Sequence, residues 1–161
     1  MNHLLPLAAL AFLCCNQSKP HYRNDETPTM PITFSVLGTG QNPVILPPTA
    51  VNVTKGNSVI QASIEVFTMQ NIPYTLGGEG NESYITSING LSQASYGPLS
   101  GWLYKVNGTF PDLYPNEYTL KSGDIVEWVY SINGKDVGYP MHNGMRKNNC
   151  IFPSSHTSSK K

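Results

Sequence analysis

The chain has 161 residues, enough for one domain with tails. Lys and Arg number 10 and Asp and Glu number 10, so the formal net charge is zero, and only 12% of the residues are charged. This balance excludes the strongly basic surface with which nucleic-acid-binding domains contact phosphates. With 14 Gly and 13 Pro, turns are frequent, and the composition favours a small secreted β-rich domain over a cytosolic enzyme.

Residues 1–15 have the pattern of a signal peptide. Their apolar run is too short for the ~20 residues that span a bilayer, and it ends abruptly at a polar segment. We therefore predict no transmembrane segment, secretion to the extracellular space, a mature chain that begins near Asn16, and a polar linker over residues 16–30. A bacterial lipoprotein lipidated at Cys14 or Cys15 is the alternative, although bulky residues precede both cysteines.

The cysteines and the glycosylation sequons give little further information. Cleavage after Cys15 leaves Cys150 without an intramolecular partner, so a disulfide framework is excluded and the domain must fold on its apolar core. Chance predicts roughly 2.5 Asn-x-Ser/Thr sequons in this composition. The sequence has four, which permit a glycoprotein without arguing for one: Asn16, Asn52, Asn81 and Asn107.

Extended segments open the domain. Residues 32–36 alternate between apolar and polar side chains, which predicts a half-buried strand. Residues 44–46 form a second extended run that Pro47 and Pro48 are expected to end, and residues 50–53 form another short strand.

One helix follows. Asn57 or Ser58 can cap it, because a short side-chain oxygen accepts hydrogen bonds from the first turn. Pro73 ends it, since the residue before a proline is displaced from the helical conformation. Its apolar side repeats at steps of three and four residues and faces the core. That side comprises Val59, Ala62, Ser63, Val66, Phe67 and Gln70.

Three further strands are predicted at residues 84–88, 101–106 and 124–132, each followed by an Asn-Gly pair suited to a tight turn. A single helix laid across a mixed sheet buries both apolar faces, so we predict an α+β, β-grasp-like fold. The domain is expected over residues 31–135, with a polar, disordered tail over residues 136–161.

No catalytic arrangement is recognisable, and we predict that the protein is not an enzyme and binds no metal. His21, His142 and His156 fall in the predicted linker or tail, without the spacing of metal ligands. Asp124 and Glu127 lie three apart in a strand and therefore point to opposite faces.

Aromatic residues are dense in the second half of the chain. For Trp128 and Tyr130, in a strongly apolar strand, we predict a place in the core. Trp102 and Tyr104 follow a Gly- and Pro-containing loop, so we expect the Trp102 ring to be partly exposed and able to contact a large flat ligand.

Three motifs at residues 83–91, 101–108 and 118–128 resemble the C-terminal β-domain of the transcobalamin and intrinsic factor family. They read Ser-Tyr-Ile-Thr-Ser-Ile-Asn-Gly-Leu, Gly-Trp-Leu-Tyr-Lys-Val-Asn-Gly and Tyr-Thr-Leu-Lys-Ser-Gly-Asp-Ile-Val-Glu-Trp. Residues 52–59 are similar to that domain's strand-into-helix segment, and the resemblance spans about residues 31–132.

The resemblance implies that cobalamin (vitamin B12) is the bound ligand. That family binds it between a helical α-barrel domain and this β-domain. No α-domain and no counterpart of the family's cobalt-coordinating histidine are present here, so the resemblance implies a separate helical-domain protein or an uptake receptor as partner. The ligand-binding residues it implies are Ser83, Tyr84, Ile85, Thr86, Trp102, Leu103, Tyr104, Lys105 and Val106.

A non-enzymatic surface module that binds a protein through the same aromatic face is the competing hypothesis. Its basis is the apolar patch that the missing half of the site would leave uncovered.

Overall fold

The computed structural model describes residues 27–40, 43–80, 83–142 and 145–146. The predicted signal peptide, most of the linker, Asn16, Asn81 and Cys150 lie outside these residues. Within them, no helix is long and apolar enough to cross a membrane.

A four-stranded mixed sheet forms the body of the domain. Its strands are β1 (Thr29–Leu37), β2 (Val44–Thr54), β6 (Gly101–Val106) and β7 (Ile125–Ser131), in the order β2-β1-β7-β6. The pairs β1–β2 and β6–β7 are antiparallel, whereas β1 and β7 are parallel. With one helix packed on this sheet, the predicted α+β, β-grasp-like class is confirmed.

The prolines of β2 do not end the strand, contrary to the prediction. The pairing passes from Phe34 opposite Thr49 to Val36 opposite Leu46, so Pro47 and Pro48 occupy a β-bulge. Because β2 lies at the edge of the sheet and the bulge interrupts the ladder, neither proline has to donate a ladder hydrogen bond.

The helix α1 (Val59–Met69) is capped by Ser58, one of the two residues predicted as possible caps. The Ser58 hydroxyl accepts from the Gln61 N–H at 3.4 Å, and the Gln61 side chain accepts from the Ser58 N–H at 2.9 Å, which completes a capping box. Glu65 ties the helix to the end of β2, because its carboxylate accepts from the Thr54 N–H at 2.9 Å and from Asn57 Nδ2 at 2.8 Å.

A second, three-stranded sheet contains β3 (Tyr74–Gly77), β4 (Tyr84–Ile88) and β5 (Leu91–Ser92), in that order. Sequence patterns predicted only β4. The β4–β5 turn has Asn89 at φ 51° and Gly90 at φ 79°, the left-handed pair expected of an Asn-Gly hairpin. Asn107 and the glycine after it adopt the same conformation, whereas in the third Asn-Gly pair only Gly134 has a positive φ.

The main core lies between α1 and the inner face of the four-stranded sheet. Trp128 and Tyr130 are buried there, as predicted. The polar atom of each core aromatic ring on β6 and β7 has a partner, which ties the sheet to the surrounding elements. The bonds are Trp128 Nε1 to Ser63 Oγ (2.8 Å), Trp102 Nε1 to Leu91 O (2.8 Å), Tyr104 Oη to Leu113 O (2.7 Å) and Tyr130 Oη to Ser92 O (2.7 Å).

The predicted domain end at residue 135 is too early. A short 3-10 helix (Lys135–Val137) and the strands β8 (Met141–His142) and β9 (Met145–Arg146) follow it. The Tyr139 ring is buried against the outer face of the sheet, so the first part of the predicted disordered tail belongs to the fold.

Candidate functional site

The predicted ligand-binding side chains of β6 divide between the two faces of the four-stranded sheet. Trp102, Tyr104 and Val106 point into the main core. Trp102 is only 2% exposed, so the expectation of a partly exposed ring was wrong. The physical reason is the short strand β5, which the sequence analysis missed and whose Leu91 carbonyl accepts the indole N–H. Tyr130 also packs edge-on against the indole at 5.2 Å.

Leu103 and Lys105 occupy the opposite face. Leu103 is fully buried against Val129 and Tyr139, and the Lys105 ammonium lies 5.0 Å above the Phe110 ring. Binding along the strand edge is blocked in the middle of β6 as well, because Leu103 and Tyr104 have no exposed surface, backbone included.

The predicted residues in β4 and immediately before it remain accessible in part. Ser83, Tyr84 and Thr86 are each partly exposed, whereas Ile85 is buried in the core. The structure therefore does not bring the two predicted groups of residues onto one surface. The role of any of them in ligand binding stays a prediction.

An aromatic ring lies on a glycine where β3 and β4 pair. Gly77 stands opposite Tyr84, and a Cβ added to Gly77 would be 2.9 Å from the Tyr84 ring and 2.7 Å from the Thr86 methyl carbon. Contacts this short do not occur for real Cβ atoms, so only glycine permits the ring to lie across β3.

Two threonine hydroxyl groups lie next to the Tyr84 ring on the same surface. Thr75 and Thr86 share a hydrogen bond of 2.6 Å between their hydroxyls, next to a register shift in the β3–β4 ladder. We call the surface formed by Thr75, Gly77, Tyr84 and Thr86 the β3–β4 face. The sequence analysis did not predict Thr75 and Gly77 as site residues, because β3 has only four residues. The alternation Tyr-Thr-Leu-Gly was the only sequence pattern that indicated this strand.

A pocket of about 210 Å³ adjoins the β3–β4 face and shares Thr75 with it. We call it the Pro73 pocket. Its wall carries no charged side chain, so it favours neutral groups. The lining residues are Pro73, Tyr74, Thr75, Ser87 and Gly90.

The carboxylates with shifted pKa values stabilise the fold rather than this site. Burial alone would raise the pKa of Glu65, but hydrogen bonds from the Thr54 backbone and Asn57 outweigh it and hold that pKa below its ordinary value. For Asp136, burial likewise opposes a larger effect of hydrogen bonds from Ile132, Ser131 and Asn133, which lower its pKa.

A tyrosine of the core is also affected by burial. Burial raises the pKa of the Tyr104 hydroxyl, which donates to a backbone carbonyl inside the fold. Across residues 27–40, 43–80, 83–142 and 145–146, His, Cys, Asp and Glu form no group of three or more that could hold a metal ion.

A family profile described as "Domain of unknown function (DUF4430)" matches residues 56–132, just under half of the chain. No curated protein matches the sequence. The matched span runs from the turn before α1 to the residue after β7, so it includes the β3–β4 face and the Pro73 pocket.

The crystal structure of haptocorrin in complex with Cbi superposes on this chain with a TM-score of 0.51 and 19% identity. The match covers 65% of this chain and 26% of haptocorrin. The likeness is one of fold. A protein from Ruminococcus gnavus ATCC 29149, described provisionally as metal-binding, matches with a TM-score of 0.43 and 15% identity over 63% of this chain and 96% of its own. The resemblance to a cobalamin-binding family is thus supported at the level of the fold.

Proposed function

We propose that this chain is a non-enzymatic binding protein that holds a corrinoid of the cobalamin type on its β3–β4 face. The observation that carries the proposal is the Tyr84 ring. The ring is partly exposed and lies on Gly77, in a strand to which the sequence resemblance assigns a ligand-binding role, and the chain is similar in fold to part of haptocorrin.

The chemistry of the face suits a large, flat, neutral ligand. An aromatic ring supplies apolar contact area, and the Thr75 and Thr86 hydroxyls beside it can donate and accept hydrogen bonds. The pocket and the face consist of Tyr, Thr, Ser, Pro and Gly residues, so a charged ligand would lose hydration there without gaining an ionic partner.

The chain spans about a quarter of the length of haptocorrin. An open face of this kind leaves most of a corrinoid in solvent. We propose that a separate helical-domain protein or an uptake receptor covers the other side of the ligand. We also propose that the protein is extracellular, as the signal-peptide pattern of residues 1–15 leads us to expect.

Titration of the full chain with cobalamin and with cobinamide, followed by the corrin absorbance and by calorimetry, tests the proposal. Tyr84→Ala should weaken binding about tenfold, because the ring supplies most of the apolar contact. Tyr96→Ala is the matched control, since that ring is 53% exposed and lies outside the β3–β4 face. Absence of any change with either ligand at high micromolar concentration would refute the proposal.

A protein-interaction module is the second candidate, but its surface has to differ from the one predicted. The Trp102 and Tyr104 rings are buried, whereas Tyr96 and Leu99, in the segment between β5 and β6, are 53% and 52% exposed. A protein partner retained by the wild type and by Tyr84→Ala, but lost in a Tyr96→Ser, Leu99→Ser variant, would favour this candidate.

A further inference from the structure

The Pro73 pocket contains a buried hydroxyl group that the fold leaves unused. Ser87 is 8% exposed and lines the pocket. Its hydroxyl has no hydrogen-bond partner among the described residues, and the atom is not completely enclosed. The Ser87 hydroxyl is therefore open to the pocket and free to donate to, or accept from, a ligand that enters it in place of water.

A second residue that lines the pocket also carries a hydroxyl group. Thr75 lies opposite Ser87 in the β3–β4 ladder and also lines the pocket. Its hydrogen bond with the Thr86 hydroxyl uses one proton, so the pair retains one further O–H that can donate. A ligand group that both accepts and donates therefore matches this wall better than a pure acceptor.

Size and charge narrow the ligand class. A cavity of 150 Å³ holds a benzene molecule, and this pocket measures about 210 Å³. The additional space corresponds to one small substituent on a six-membered ring. The absence of charge on Pro73, Tyr74, Thr75, Ser87 and Gly90 disfavours a carboxylate or an ammonium group.

We propose that the Pro73 pocket binds a neutral six-membered ring that carries a primary carboxamide. The carboxamide accepts from and donates to the Ser87 and Thr75 hydroxyls, and the ring packs on Pro73. The proposal does not depend on corrinoid binding, because it rests on the pocket alone.

Benzamide is the probe, added to the ¹⁵N-labelled full chain and followed by amide chemical shifts. We expect saturable shifts confined to residues 73–75 and 87–90, with a dissociation constant on the order of 1 mM for so small a molecule. Benzoate has nearly the same shape but carries a charge, and should bind at least tenfold more weakly. Absence of saturable shifts at these residues, or equal binding of benzoate, overturns the proposal.

The Ser87→Ala variant tests the hydrogen bond itself. It should weaken benzamide binding about fivefold, the effect of one hydrogen bond. Its thermal stability should equal or exceed that of the wild type, because no bond within the protein is lost. Ser92→Ala is the matched control, since Ser92 stands opposite Ser87 on β5 but does not line the pocket. An unchanged affinity in folded Ser87→Ala would contradict the assignment.

The same samples separate this proposal from corrinoid binding. Benzamide binding without any cobalamin binding would support the pocket and refute the proposed function. Cobalamin binding without saturable benzamide shifts would support the proposed function and refute the pocket.

Discussion

Replacement of Trp102 by Phe tests whether this ring belongs to the core, as the structure places it, or to a ligand-binding surface. The indole is 2% exposed and packs edge-on against Tyr130 at 5.2 Å. Its N–H donates to the Leu91 carbonyl at 2.8 Å, which joins the two sheets. Phe retains an aromatic ring but loses the donor and part of the volume.

The expected loss of stability follows from these contacts. A lost hydrogen bond of this kind contributes about 0.5–1.5 kcal/mol, and the smaller ring leaves a cavity that adds on the order of 1 kcal/mol. Trp102→Phe should therefore lower the free energy of unfolding by about 2 kcal/mol. Trp102→Ala should lower it by about 3–5 kcal/mol, a large part of the stability of a domain this size.

Urea unfolding of the full chain provides the measurement. The sequence contains two tryptophans, so Trp128 remains as the only tryptophan reporter in the variant. Tyr96→Phe serves as the control, because that side chain is 53% exposed and its loss of a hydroxyl should change the free energy by less than about 0.5 kcal/mol. A stability of Trp102→Phe within 0.5 kcal/mol of the wild type, together with weaker cobalamin binding, would refute the core assignment.

Three further variants test other contacts. Ser63→Ala should destabilise the fold by about 1–3 kcal/mol in thermal or urea unfolding, since it leaves the buried Trp128 indole N–H unpaired; a loss below 0.5 kcal/mol would show that water replaces the hydroxyl. Gly77→Ala should displace the Tyr84 ring and weaken cobalamin binding about as much as Tyr84→Ala does, and an unchanged affinity would separate the ring from the ligand. The lowered pKa of Glu65 stabilises the folded state above pH 4.5, and this contribution is lost as the pH falls through the folded-state value. Glu65→Gln should therefore unfold more easily than the wild type at pH 7, with a difference that narrows in acid; a difference independent of pH would contradict this.

Local signals were sufficient for much of the fold. Ser58 was predicted as a possible cap because its hydroxyl satisfies the first turn of α1, and the Asn89 turn because an Asn-Gly pair adopts left-handed angles at little cost. Such interactions involve residues within four positions of one another, so the sequence reports them directly. The alternating side chains of β1 and the helix spacing then predicted the mixed sheet with its single helix.

Contacts between distant residues were the ones that sequence patterns missed. From the sequence alone, Pro47 is expected to end a strand, because the bulge opposite β1 cannot be foreseen. Trp102 is likewise expected to be accessible, because the sequence does not show that β5 covers it. The β3–β4 face depends on the absence of a side chain at Gly77. The importance of this glycine becomes evident only from the pairing that places Tyr84 opposite it.

The parallel pairing of β1 with β7 sets the order in which this domain can fold. Thr33 and Ile125 are neighbours in the sheet, yet 92 positions separate them along the chain. Pairings of such long sequence separation slow folding to milliseconds or longer, because the intervening loop must close before the contact forms. During synthesis, β1 and β2 can form a hairpin early, but the edge of β1 that receives β7 stays open until almost the whole domain has left the ribosome. A nascent chain halted before β7 would present this open edge to other strands, so such chains are expected to depend on chaperones and to aggregate without them.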